Sequence, residues 1–200
     1  MKNLLTIILL CFCMFSSSLK AQEKTMSMEE ARKHVFPALV VIDIQNEFLP
    51  YMSEADRKTA MDTINSAIAI FHEKKLPVIR VYHHDVERGP HPGSEGFEFP
   101  KTVLISESDP KVIKHYPNAF TKTCLDSLLK ALGANTVILC GLSATGCVLG
   151  TYFGGTDHDY ITLMLKDGLI SPKSEQTAVI REICSGLNCS VVRTMLNRKP

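Results

Sequence analysis

An excess of charge of one sign is lacking in this chain. Its 22 Lys and Arg stand against 21 Asp and Glu, a formal charge of +1 over 200 residues. So even a balance offers no electrostatic footprint for nucleic acid or for an anionic membrane surface. A long apolar run is lacking too. The stretch from Leu4 to Phe15 is 12 residues long, well short of the roughly 20 that a helix needs to cross a bilayer. Internal repeats and low-complexity tracts are absent, which excludes a solenoid. The 45% apolar content is that of a globular chain with a real core, in one domain of ordinary size.

What is there begins with a leader. Lys2 precedes the apolar stretch, and Ser16-Ser17-Ser18 and Ala21 follow it. This is the layout of a secretory signal over residues 1–21, cleaved after Ala21, with an uncleaved anchor as the alternative. The mature domain is then 22–200, exported to the periplasm or medium, with no membrane contact of its own. Loss of Lys2 and Lys20 leaves 20 basic and 21 acidic side chains. Five cysteines remain: Cys124, Cys140, Cys147, Cys184 and Cys189. An odd count leaves at least one free thiol. Cys184 and Cys189 are spaced so that a disulfide is open but not established. Cys124 and Cys140 read as small buried apolar residues.

Strands and helices alternate after residue 34. Ala38–Ile44 is a β-branched run of the kind buried on both faces of a sheet. Asp56–Lys75 carries Ala60, Ile64, Ala67, Ile68 and Phe71 at helical spacing. Strands follow at 77–82, 111–113, 136–140, 161–165 and 190–193, with helices at 121–132 and 172–184. Gly133 stops the first of these helices and Pro172 opens the second. This order makes an α/β protein: a three-layer, Rossmann-like fold with a mainly parallel six-stranded sheet and helices on both faces. Its ligand belongs at the carboxyl ends of the strands, where strand order reverses. The segment from His84 to Pro110 is rich in Gly and Pro and too long for a plain connection. It reads as a wall or lid of the pocket.

Three ionisable residues stand at three such strand ends: Asp43, Lys114 and Cys147. Cys147 closes Gly141-Leu142-Ser143-Ala144-Thr145-Gly146-Cys147, between a strand and a helix. A helix N-terminus stabilises a thiolate, the nucleophilic form of cysteine.

Three motifs now carry a resemblance. They are Val41-Ile42-Asp43-Ile44-Gln45-Asn46-Glu47-Phe48, then Lys114-His115-Tyr116-Pro117-Asn118-Ala119-Phe120, then Gly141 to Val148. In this order they resemble the isochorismatase-like cysteine hydrolases, over about residues 37–194. The resemblance implies a hydrolase that cleaves a C–N bond of a small amide, carbamoyl or ureido compound. Cys147 is then the nucleophile, Asp43 the base, and Lys114 the cation that holds Asp43 ionised and pulls the thiol pKa below the ~8.5 of a free cysteine. The backbone N–H groups of Ser143 and Cys147 form the oxyanion hole, with a cis peptide between Leu142 and Ser143. Gln45, Phe48, His83 and Ala144 are candidates to meet substrate. For Gln45 a strand-end cap is the other reading, and for Phe48 a place in the core.

Two departures stand out. Where the family pattern has Thr, this chain has Ala144, with Thr145 one residue later. The Asp-x-His pair of the metal-dependent nicotinamidases is missing from 49–56, so no catalytic metal or other cofactor is expected. The expected partners are a small-molecule substrate and further copies of this chain. The alternative to a hydrolase is an inactive small-molecule-binding or redox-sensitive protein on the same scaffold.

Overall fold

The computed structural model describes residues 35–197. The expected signal, and residues 22–34 after it, lie outside the described residues. Six strands form one sheet: β1 (Pro37–Ile42), β2 (Val78–His83), β3 (Lys111–Lys114), β4 (Thr136–Leu142), β5 (Ile161–Ile170) and β6 (Gly186–Leu187). Their order is β3-β2-β1-β4-β5-β6, and every neighbouring pair is parallel. The chain works outward from β1 to β3, then returns to β4 on the other side of β1. The crevice of an open α/β sheet lies at that reversal, outside the carboxyl ends of β1 and β4.

Helices cover both faces. On one side α1 (Glu54–Glu73) and α5 (Cys189–Asn197) meet Leu39, Val41, Ile138 and Leu165. On the other α2 (Leu125–Ala131), α3 (Leu149–Asp157) and α4 (Ser174–Ile183) meet Val40, Ile42, Val81 and Leu139. Alternate residues of β1 thus serve opposite cores, and all six of its residues are buried. That is why its sequence is an unbroken apolar run rather than an alternation. In α1 the buried residues are Ala60, Ile64, Ala67, Ile68, Ile70 and Phe71, the stripe that the spacing dictates. Ser53 caps this helix by accepting from the Asp56 N–H at 3.1 Å. Among the described residues no helix is long and apolar enough to cross a membrane.

One element differs in kind from the sequence reading, while β5 runs on to Ile170 beyond the expected 161–165 and α2 starts at Leu125 rather than 121. The sixth strand is Gly186–Leu187, and 190–193 lies within α5. The Val191-Val192 pair looks β-like, but only Val192 is buried while Val191 is exposed. Cys189, Val192, Met195 and Leu196 pack together against the core, a spacing of three to four that only a helix delivers. The same arrangement decides the disulfide. Cys184 packs on the α4 side and Cys189 on the α1 side, with β6 between them. All five described cysteines are free, and Cys140 is buried as expected, but Cys124 stands exposed just before α2 rather than in the core.

β4 ends at a tight place. Gly141 pairs with Ile42 and has φ +113°, and a Cβ there would overlap the Ile42 carbonyl oxygen. An L side chain would meet both a backbone clash and an unfavourable dihedral. Gly141→Ala should therefore lose about 3 kcal/mol or more of unfolding free energy. Urea denaturation reads this directly, and an unchanged midpoint would show that β1 and β4 can separate at no cost.

Candidate active site

Each of the three chemical side chains is placed by the end of its strand. β3 alternates exposed and buried residues, so Lys114 falls on the same inward face as Val112 and is 0% exposed. β1 stops at Ile42, and Asp43 turns the chain aside with φ +53°, a conformation Asp tolerates better than most residues. Its N–H still bonds to the Val81 carbonyl at 2.9 Å, so the turn remains anchored to β2. β4 stops at Leu142, and the Leu142–Ser143 peptide is cis, as the resemblance implies. A five-residue π turn, Ala144–Val148, leads from there into α3. The Ser143 carbonyl accepts from the N–H groups of Gly146 at 2.9 Å and Val148 at 3.2 Å.

These ends converge on one point. The Lys114 ammonium lies 2.7 Å from Asp43 Oδ2, 3.0 Å from Cys147 Sγ and 3.2 Å from His83 Nδ1. Single donor atoms of Asp43, His83 and Cys147 fall within 4.8 Å of one another, a set of types that can bind a metal ion. The cation they surround in this fold is the ammonium of Lys114. Asp43 Oδ1 is buried without a hydrogen-bond partner among the described residues.

The electrostatics run against one sequence expectation. Cys147 is pushed up to about 12, first by burial and then by the negative charge of Asp43, with Lys114 opposing both. The lysine does lower the thiol, but not enough to leave it a resting thiolate. Asp43 is raised as well, by burial against the pull of Lys114. The reason is charge balance. One ammonium offsets one anion, and a carboxylate with a thiolate beside it would leave a net negative charge out of water. The two groups titrate as a pair.

The remaining candidates divide. Gln45 is fully buried, and its amide grips the backbone of His83: Oε1 accepts from the His83 N–H at 2.8 Å, and Nε2 donates to the His83 carbonyl at 3.0 Å. It is a strand-end clamp rather than a contact for substrate. Phe48 is half-buried, packs on the α1-side core, and lies with its ring 6.2 Å from that of His83. Ala144 is buried in the α3-side core, while Thr145 is exposed. Ser143 is half-buried, and its hydroxyl pairs with Ser171 at 3.0 Å. The segment from His84 to Pro110 is pinned against the end of β2 and the turn after β1. Phe97 and Phe99 are buried and stack on Tyr82, and the N–H groups of Asn46 and Glu47 bond to Glu98 and Gly96.

Two supports escaped the sequence reading. Thr151 donates to the Cys147 carbonyl at 2.7 Å and accepts from the Ala119 N–H at 3.0 Å, tying the nucleophile's helix to the lysine segment. Gly154 lets the side chain of Asn118 lie directly on that helix, where a Cβ would overlap it. The signal was present in the glycines of Leu149-Gly150-Thr151-Tyr152-Phe153-Gly154, which weaken a helix unless something must approach it closely.

Known proteins resemble this chain in sequence and fold. The chain is 29% identical over 135 residues to YddQ, an uncharacterized isochorismatase family protein of Bacillus subtilis, covering 65% of this chain and 75% of that one. The N-carbamoylsarcosine amidase of Thermoplasma acidophilum superposes with a TM-score of 0.65 at 26% identity, over 76% of this chain and 96% of that one. A probable inactive nicotinamidase of Arabidopsis thaliana is 25% identical over 145 residues, 62% of this chain and 74% of its own. The Isochorismatase domain matches residues 37–193, nearly all that the fold comprises. With that span and this all-parallel sheet, the chain belongs to the isochorismatase family of hydrolases.

Proposed function

We propose that this chain hydrolyses a C–N bond of a small amide, carbamoyl or ureido compound through Cys147, Asp43 and Lys114. One observation carries the reading: three strand ends, remote in sequence, deliver a thiol, a carboxylate and an ammonium to one buried point. The amidase among the similar structures supports it. In the resting site the thiol keeps its proton and the ion pair is Lys114–Asp43. As sulfur attacks the carbonyl carbon, Asp43 takes the proton, and later gives it to the departing nitrogen. Water then cleaves the acyl-thioester. Backbone N–H groups of Ser143 and Cys147 would receive the oxyanion.

Lys114 does little to oppose the proton transfer. It stands 2.7 Å from the carboxylate oxygen and 3.0 Å from sulfur. Moving the negative charge from one to the other changes its attraction to the ammonium by only about 0.6 kcal/mol at an effective dielectric of ~20. The ammonium serves both ends of the transfer almost equally.

A second reading is an inactive binding protein on the same scaffold. The probable inactive relative and the displaced Thr145 favour it. A panel of small amides, carbamoyl and ureido compounds assayed for ammonia release separates the two. Cys147→Ser should abolish turnover. Asp43→Asn and Lys114→Ala should each cost on the order of a hundredfold or more in kcat. Substantial turnover by Cys147→Ser would end the covalent mechanism.

The thiol's acidity gives a test that needs no substrate. Alkylation of Cys147 by iodoacetamide, followed by mass spectrometry across pH, should show a midpoint above the ~8.5 of a free thiol. Asp43→Asn should move that midpoint down, because it removes the anion that opposes the thiolate, even as it removes the base that turnover needs. Lys114→Ala should move it up. A midpoint in the wild type near 7, or no shift with Asp43→Asn, would contradict the charge balance described above.

Export belongs to the same proposal. The first residue of the protein recovered from its producing cell should be at or near Gln22, read by N-terminal sequencing. An intact Met1 on a cytoplasmic protein would remove the signal from the account.

A further inference from the structure

A lysine ammonium has three protons to donate and no capacity to accept. Lys114 is 0% exposed, so water is not its ready partner. Each proton left unmatched there would be a buried charged donor without a bond, a costly arrangement. The fold supplies three acceptors: Asp43 Oδ2 at 2.7 Å, Cys147 Sγ at 3.0 Å and His83 Nδ1 at 3.2 Å. Two belong to the reacting groups. The third belongs to a residue to which the reaction as described gives no part.

His83 is held for this contact. It pairs with Lys114 in the β2–β3 register. Alternation along β2 sends Tyr82 to the α1 side, where it stacks on Phe97 and Phe99, and so sends His83 to the face of Lys114. The Gln45 amide then fixes its backbone through both its N–H and its carbonyl. The imidazole is half-buried, and Nε2 has no hydrogen-bond partner among the described residues.

We propose that His83 is a positioning residue for Lys114. Its unprotonated Nδ1 takes the third ammonium proton, which locks the ring in the Nε2–H tautomer and leaves that neutral N–H free to donate to an oxygen of the substrate. The donation to substrate rests on the hydrolase reading; the lysine contact does not. An imidazolium could not make the contact, since its Nδ1 would carry a proton of its own and face the ammonium. The charged groups around the ring favour the neutral form on balance. Burial and Lys114 push His83 below the ordinary histidine value, with His115 adding to them and Asp43 and Asp85 pulling the other way. The site therefore stays assembled at neutral pH and loses its third ammonium bond in acid.

The test is ¹⁵N NMR of the full-length protein labelled at histidine, with His83 assigned by its loss in His83→Asn. The expected spectrum has Nδ1 unprotonated and Nε2 protonated, with no titration above the ordinary histidine pKa of ~6.5. A protonated Nδ1, or two averaged nitrogens, overturns the lysine contact. Kinetics on the small-amide panel tests the rest. Asn places an oxygen near the Nδ1 position but cannot reach as far as Nε2; Ala does neither. His83→Asn should lose little kcat, about threefold at most, while KM rises about tenfold, and His83→Ala should lose about tenfold or more in kcat as well. Equal losses of kcat in the two variants overturn the positioning role. An unchanged KM in His83→Asn overturns the donor role. If the wild type releases ammonia from no member of the panel, the hydrolase reading and the substrate donor fall together. The spectrum then decides the lysine contact alone.

Discussion

The structure depends on one buried cation. Lys114 has no exposed surface, and its carboxylate partner Asp43 has almost none. Taking either charge out of water alone costs several kcal/mol, and removing one partner of such a pair typically destabilises by about 3–5 kcal/mol. The pair is tolerable only if the ends of β1 and β3 stop in the right register, with β2 between them. Every local oddity nearby serves that requirement. Asp43 adopts a left-handed turn that keeps its N–H on β2, and Gln45 stitches β1 to the last residue of β2.

This cation also dictates the style of catalysis. A family of thiol enzymes invites the picture of a preformed thiolate, and the position of Cys147 near a helix N-terminus encourages it. The charge count allows one anion beside the ammonium, not two, and in the proposed resting site Asp43 supplies it. In the proposed reaction the sulfur would become nucleophilic only as the carboxylate takes its proton, and the raised affinity of Asp43 for protons, caused by its burial, would make it a better acceptor for the task.

The fold was legible where a single period governs. The unbroken run of β1, the stripe of α1 and the strand–turn–helix at Cys147 all read correctly, because each pattern has one dominant burial rule behind it. The segment 190–193 misled because two adjacent valines satisfy a strand pattern locally, while their burial is decided by Cys189 and Met195 further out. At the site, the candidate side chains were legible because they are charged or nucleophilic residues standing together at three strand ends in the order the resemblance implies. Their supports were not. Thr151 and the Asn118 contact at Gly154 act through backbone bonds and close approach, which depend on which segment lies opposite, whereas a strand-end role for Gln45 was already open from its position. The acidity of Cys147 failed for a related reason: sequence shows which charges are near, but not how completely water is removed from them.

The same removal of water bears on the free thiols. Were the chain exported, as proposed, its five unpaired cysteines would be vulnerable, because thiolates are oxidised and exchanged readily outside the cytoplasm. Here burial raises Cys140, Cys147, Cys184 and Cys189 above the ordinary thiol value, while Cys124 is exposed and has no such shelter. Cys184 and Cys189 face opposite cores, so their closeness in sequence gives them no route to a disulfide. A protonated nucleophile is poorly reactive toward oxidants as well as toward alkylating agents. In the proposed reaction, keeping the proton on Cys147 until a carbonyl arrives would do two things at once: hold the charge of the site balanced, and shield the sulfur from oxidants.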